Sequence, residues 1–386
     1  MQEARHITSW GLVLALWAAG LGAAAQYGKF SVTFHLLPVA YPEAGTALGF
    51  VVSLVGLSGI FLGIVAGLLV ARLRYRRALL WGLWIGAALS VFQATLPPLP
   101  WLLASRAVEG LSHLAIVVAA PTLIAQLCAP RDRGFALTLW GTFFGVAFAI
   151  LAWGGVPLAE RFGLGALLGA HAAVMALCAL ILTQPLKFIE TPPAKPAGSL
   201  LRQHLDVYAS PHRVAPAAGW LFFTFCFVAV LTVMPPFLDP VQRAWVIGAM
   251  PLMSILSSMS LGVWLLRLMP AVRVIQLGFA TCALCMIWLW VLPGDAAACL
   301  GLAAAMGLVQ GASFAAVPQL NAEPSDQALS NGAMAQTGNI GNTLGVPVLI
   351  AVLAGFGYTG MVVVLGLAFA CGLGVHIWLA WKRVPY

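Results

Sequence analysis

The chain has 386 residues, of which 62% are hydrophobic and only 8% charged, whereas soluble domains carry about a quarter charged residues. Nineteen Lys and Arg against eleven Asp and Glu give a net charge of +8, too few charged side chains to coat a water-soluble protein of 40.6 kDa. These values exclude a soluble enzyme, a nucleic-acid-binding domain and a disordered chain; the mean hydropathy of +0.98 indicates a polytopic membrane protein.

A helix needs about 20 apolar residues to cross ~30 Å of hydrocarbon. Twelve such stretches follow one another, near 9–37, 46–71, 77–97, 100–129, 134–158, 163–184, 214–238, 243–267, 271–293, 295–321, 327–354 and 357–381. The first carries Gln26, Tyr27, Lys29 and His35. Its leading part, with Arg5, an apolar run over 10–21 and then Ala23-Ala24-Ala25, also fits a secretory signal, but cleavage there would leave an odd number of spans. The fourth carries Arg106, Glu109 and His113, whose spacings of three and four put them on one helix face. Segment 185–213, with Pro185, Pro192, Pro193, Pro196, Gly198 and Pro211, reads as a linker between an N-terminal six-helix bundle, 1–184, and a C-terminal one, 214–386. Cys282 and Cys285 form a CxxC inside an apolar helix and read as small buried hydrophobes. The polarity of the C-terminal spans is neutral: Thr224 and Thr232 in the seventh, Gln310 and Ser313 in the tenth, Gln336, Asn339 and Asn342 in the eleventh.

With a cytoplasmic N-terminus, 15 of the 19 basic residues fall in inside segments, only Arg161 and Arg243 fall outside, and Lys29 and Arg106 lie within spans. This positive-inside bias places both termini and the linker in the cytoplasm, against anionic lipid. The halves also echo each other. Trp140–Val146 in the fifth span parallels Ile340–Val346 at an offset of 200, Glu109-Gly110 parallels Gln310-Gly311 at an offset of 201, and Pro121 and Pro318 follow at similar distances. Internal repeats of this kind are the usual architecture of secondary transporters, with the substrate site at the repeat interface.

Two motifs extend this reading to a family. The loop after the second span, Gly67-Leu-Leu-Val-Ala71-Arg72-Leu-Arg74-Tyr75-Arg76-Arg77, resembles the G-x-L-a-D-R-x-G-R-[RK] signature of the major facilitator superfamily. Gly67, Leu69, Arg72 and Arg76 fit, whereas Ala71 replaces the Asp and Arg74 the Gly. In the fourth span, Arg106-x-x-Glu109-Gly110 resembles the family's R-x-x-[QE]-G motif. The resemblance covers essentially the whole chain. It implies an all-α membrane fold of twelve helices in two pseudo-symmetric six-helix bundles. Helices 1, 4, 7 and 10 would line a central cavity, helices 3, 6, 9 and 12 would face lipid, and the motif Arg would face the cavity and take part in proton coupling.

An ionisable group within a span is a functional candidate by default. At ~1.5 Å per residue, Lys29 and Arg106 lie at comparable depth, and the resemblance implies that helices 1 and 4 adjoin, so a Lys29–Glu109–Arg106 cluster is expected. Three readings stay open for it: an ion pair orienting helices 1 and 4, a proton-coupling site of Glu109, His113 and Arg106, or direct recognition of an anionic group. Gln26, Tyr27, Lys29, His35, Gln310, Gln336 and Asn339 are the candidate substrate contacts. His171 and His376 are assigned no role.

The expected function is secondary active transport of a small polar or anionic organic molecule by alternating access, coupled to protons, in a bacterial inner membrane. Its partners are then the substrate, protons and the lipid bilayer, with no nucleic acid, and the protein is a monomer. The chain carries no G-x-x-x-x-G-K-[ST] phosphate loop, no HExxH and no Ser/His/Asp set, so neither enzyme chemistry, a metal nor a cofactor is expected. The fifth span has Gly154-Gly155 without the Gly-Pro of many exporters, which tilts the direction toward uptake, with multidrug or metabolite efflux by proton antiport as the alternative.

Overall fold

The structure, a computed structural model, describes residues 7–188 and 200–383. Among these residues every regular element is helical. Eleven helices are long and apolar enough to cross a bilayer: Trp10–Ser31, Gly45–Gly63, Tyr75–Ala94, Leu99–Leu127, Phe143–Phe162, Leu164–Thr183, Val214–Val233, Arg243–Leu268, Ala271–Val291, Ala296–Leu320 and Leu329–Lys382. They are numbered here as first to eleventh. Large apolar side chains such as Phe61, Trp81, Trp101, Leu284, Trp290 and Leu367 are more than half exposed, which suits a lipid-facing surface and no aqueous one.

The count differs from the twelve expected stretches because the last two join into one helical run, Pro324–Lys382, broken at Gly357 with φ 62° and ψ −159°. A side chain at that positive φ would be strained, so glycine makes the break possible. The other boundaries follow local chemistry. Proline occupies the first turn of the fourth span, where its missing N–H costs nothing. Asp295 Oδ1 accepts from Ala298 N at 2.8 Å at the start of the tenth, a side-chain N-cap. Gly163, at φ 89°, separates the fifth from the sixth. The linker is only partly described, 189–199 lying outside the described residues, but Leu200–Ala209 forms a helix. Its Val207 is buried with Ala217, Val317, Ala333 and Met334, and Arg213 beyond it pairs with Asp326 at 3.0 Å.

The sequence repeat reappears as repeated packing. Gly110 of the fourth span lies against Val55 O and Ser58 of the second; Gly311 of the tenth lies against Ser258 of the eighth. Between the halves, Gly49 of the second span packs on Pro347 of the eleventh, and Gly145 of the fifth packs on Pro251 and Ile255 of the eighth. Ser31 and Thr232, also 201 residues apart, share a hydrogen bond of 2.7 Å between the first and seventh spans. The helices therefore approach at matched small residues, the usual means of close packing in lipid.

Candidate functional site

Lys29, Arg106 and Glu109 do meet, and all three are fully buried. Lys29 Nζ donates to Glu109 Oε1 at 2.6 Å and to Ser90 Oγ at 2.8 Å. It lies 3.4 Å from His171 Nδ1. The Arg106 guanidinium donates through Nη1 to Glu109 Oε2, which also accepts from Gln93 Nε2 at 2.7 Å. His171 is the neutral end of the chain. Its Nε2 contacts Gly22 O at 2.9 Å and its Nδ1 contacts Ser90 Oγ at 2.7 Å. With the ammonium also facing Nδ1, that nitrogen must be the unprotonated acceptor. One carboxylate thus opposes two cations, for a formal charge of +1, with helices 1, 3, 4 and 6 each supplying side chains.

Arg106 is held further by backbone. Nε donates to Val51 O at 2.6 Å and Nη2 to Gln26 O at 2.5 Å. The second span tightens into a 3-10 turn at Leu54–Gly56, and each backbone carbonyl has a second lone pair with which to accept a side-chain donor. With these contacts made, the guanidinium fork is spent within the protein. A bidentate grip on a substrate, one of the three readings above, would first require them to break.

The other expected residues are distributed differently. Gln26 Nε2 donates to Ser112 Oγ at 2.8 Å. His113 Nδ1 contacts Ala23 O at 3.0 Å, and its ring meets Tyr27 edge-on at 5.2 Å. The Glu109–His113 relay is therefore not assembled as a hydrogen bond. His35, a candidate substrate contact, lies apart from the cluster and pairs with Glu160 at 3.2 Å on the exposed surface. Gln310 accepts from Ser254 Oγ at 3.4 Å. Gln336 bridges the halves, donating to Ile60 O of the second span at 2.9 Å and accepting from Tyr208 OH of the linker helix at 2.8 Å. Asn339 bonds back to Ala335 O of its own helix at 2.8 Å. Ser90, Gln93 and His171 were missed. A Ser and a Gln three apart in an apolar helix are the only mark that the sequence carries of the third span's contribution.

In the loop motif, the side chains of Leu69, Ala71 and Arg72 lie outside the described residues. Arg74, which replaces the signature's Gly, has φ 68°, so the backbone keeps a glycine-like conformation there. Arg76 Nη2 donates to Thr183 O at 2.9 Å, at the end of the sixth span.

Where the halves meet, aromatic rings touch in series. Tyr27 and Phe144 lie 5.9 Å apart, Phe144 and Phe148 5.2 Å, Phe144 and Phe227 6.0 Å, and Phe223 and Phe227 5.6 Å. Trp220 stacks on Phe223 at 4.6 Å. The first, fifth and seventh spans thus present one aromatic seam.

Apolar spans, a repeat carried into the packing and a buried charge cluster define a multi-pass membrane transporter. The Major Facilitator Superfamily model matches residues 12–345, and the chain belongs to this family. Among curated proteins no sequence matches it.

Proposed function

We propose that the protein is a proton-coupled secondary transporter taking up a small anionic organic molecule by alternating access of two six-helix halves. The carrying observation is the buried Glu109 between Lys29 and Arg106. It is the one acid among the buried residues described. The groups facing it are Lys29 from the first span, Gln93 from the third, Arg106 and His113 from its own helix, and His171 from the sixth. A proton on Glu109 would leave two cations unopposed in a dry site, a costly arrangement. Protonation would therefore drive the cluster to open or an anion to approach, which links proton binding to substrate binding. Such linkage requires only that each ligand prefer the same conformation.

The two-half reading is supported by the matched glycine contacts and by the break at Gly357, which divides the last run into an eleventh and a twelfth span. The contacts that must part between halves include Ser31–Thr232 and Gln336–Ile60. The basic-residue bias supports cytoplasmic termini in a bacterial inner membrane, and the fifth span's Gly154-Gly155 without Gly-Pro supports uptake.

The test is Glu109→Gln in liposomes, on a solute selected by a thermal-shift screen. Accumulation driven by a proton gradient is expected to vanish while exchange of solute continues. Undiminished accumulation with unchanged pH dependence would make Glu109 a structural residue.

A further inference from the structure

Two buried hydroxyls face each other across the seam between the halves. Tyr27 OH is fully enclosed and has no hydrogen-bond partner, and Thr343 Oγ1 of the eleventh span is equally unpaired. Both converge on Gly56 of the second span. A methyl group built there would lie 2.9 Å from Tyr27 OH, 2.9 Å from Asn339 O, and in collision with Thr343 Oγ1. Buried polar groups are normally paired, so two orphaned donors at one glycine mark a place where a ligand's acceptor atoms would be met. The Tyr27 ring continues into Phe144, Phe148 and Phe227. Beside Phe227 lies only a small apolar gap of about 10 Å³, lined by Val230, Met250 and Met306 among others, so a ring would enter here by parting the aromatic faces.

Charge selects further. The cluster behind Tyr27 carries a formal +1, and Arg106 Nη2 covers the carbonyl of the peptide joining Gln26 to Tyr27. Charges buried in a dry interior are screened little, so the field at the seam favours an anion and opposes a cation. We infer that the transported solute is a planar aromatic monocarboxylate, its ring lying on the Phe144–Phe148–Phe227 wall and its carboxylate taken by the Tyr27 and Thr343 hydroxyls. This rests on the transporter reading above and names its substrate class. The rings now close on one another, and the same faces part when the halves separate.

The test is calorimetric titration of the purified full chain with three probes: 2-naphthoate, octanoate and 2-naphthylmethylammonium. Naphthoate should bind, octanoate at least tenfold more weakly, and the ammonium not at all. Tyr27→Phe, which keeps the ring, should weaken naphthoate roughly tenfold or more, and Thr343→Val should weaken it by a smaller factor, both with melting temperatures near that of the parent. Equal binding of octanoate, preference for the ammonium, no binding of naphthoate, or an unchanged affinity in Tyr27→Phe would each overturn the inference. The transporter reading is judged separately, by spin-label distances across the seam. If the halves move but naphthoate does not bind, only the substrate class fails; if they do not move, alternating access itself fails.

Discussion

Arg106 in the fourth span and Gly307 in the tenth lie 201 residues apart and hold equivalent places in the repeat. In the C-terminal half the tenth and eighth helices touch directly: a methyl group on Gly307 would lie 3.0 Å from Ser254 Cα. In the N-terminal half the same gap is spanned by a guanidinium that reaches Val51 O at 2.6 Å. Three residues further on, Glu109 joins two cations, while its counterpart Gln310 accepts one long bond of 3.4 Å from Ser254. One packing scheme thus serves two purposes. Among the described residues the C-terminal half buries no Asp, Glu, Lys or Arg, and its one buried histidine, His376, has no hydrogen-bond partner on either ring nitrogen. The N-terminal half stores its polarity in a charge network whose balance one proton would upset.

The sharpest way to break this comparison is to make the two positions alike. Glu109→Leu removes the one counter-charge of Lys29 and Arg106 among the described residues and should destabilise the protein by about 3–5 kcal/mol. Gln310→Leu, at the matched place, should cost about 1 kcal/mol or less. Unfolding in mild detergent, followed for both variants together, decides it; equal losses would mean that the charge network is no more than packing.

A smaller effect sharpens the picture at the loop between the second and third spans. Arg74 sits at φ 68°, a conformation that strains a side chain. Arg74→Gly should raise stability by about 0.5–1 kcal/mol, the strain relieved outweighing the entropy that glycine adds to the unfolded chain. A lower melting temperature for this variant would show that the Arg74 side chain itself contributes to folding.

Much of this was legible in the amino-acid order. Hydropathy located the spans because lipid tolerates little else, and helical spacing brought Arg106 and Glu109 together. Lys29 could be placed beside them by counting rise, once the family resemblance set helices 1 and 4 side by side. The division expected between 327–354 and 357–381 falls at the non-helical Gly357, although one continuous helical run embraces both stretches. Ser90, Gln93 and His171 were beyond reach. Whether a polar side chain in an apolar helix meets lipid or a neighbour depends on rotation about the helix axis, and their partners lie 61 to 142 residues away from them or on another helix. His35 was expected inside the first span, but that helix ends at Ser31, and His35 lies beyond it at 3.2 Å from Glu160, 125 residues on.

The most direct test of proton-linked rocking uses Val39 and Val241, exposed by 81% and 91%, one beyond the first span and one beyond the seventh. Both would be replaced by spin-labelled cysteine in a background lacking the seven native cysteines, all of them free thiols. In lipid, lowering the pH should shift the distance distribution between the labels toward longer separations. Glu109→Gln should hold that longer distribution at every pH. A single distance, unchanged by pH and by the substitution, would contradict the coupling of Glu109 to movement of the halves.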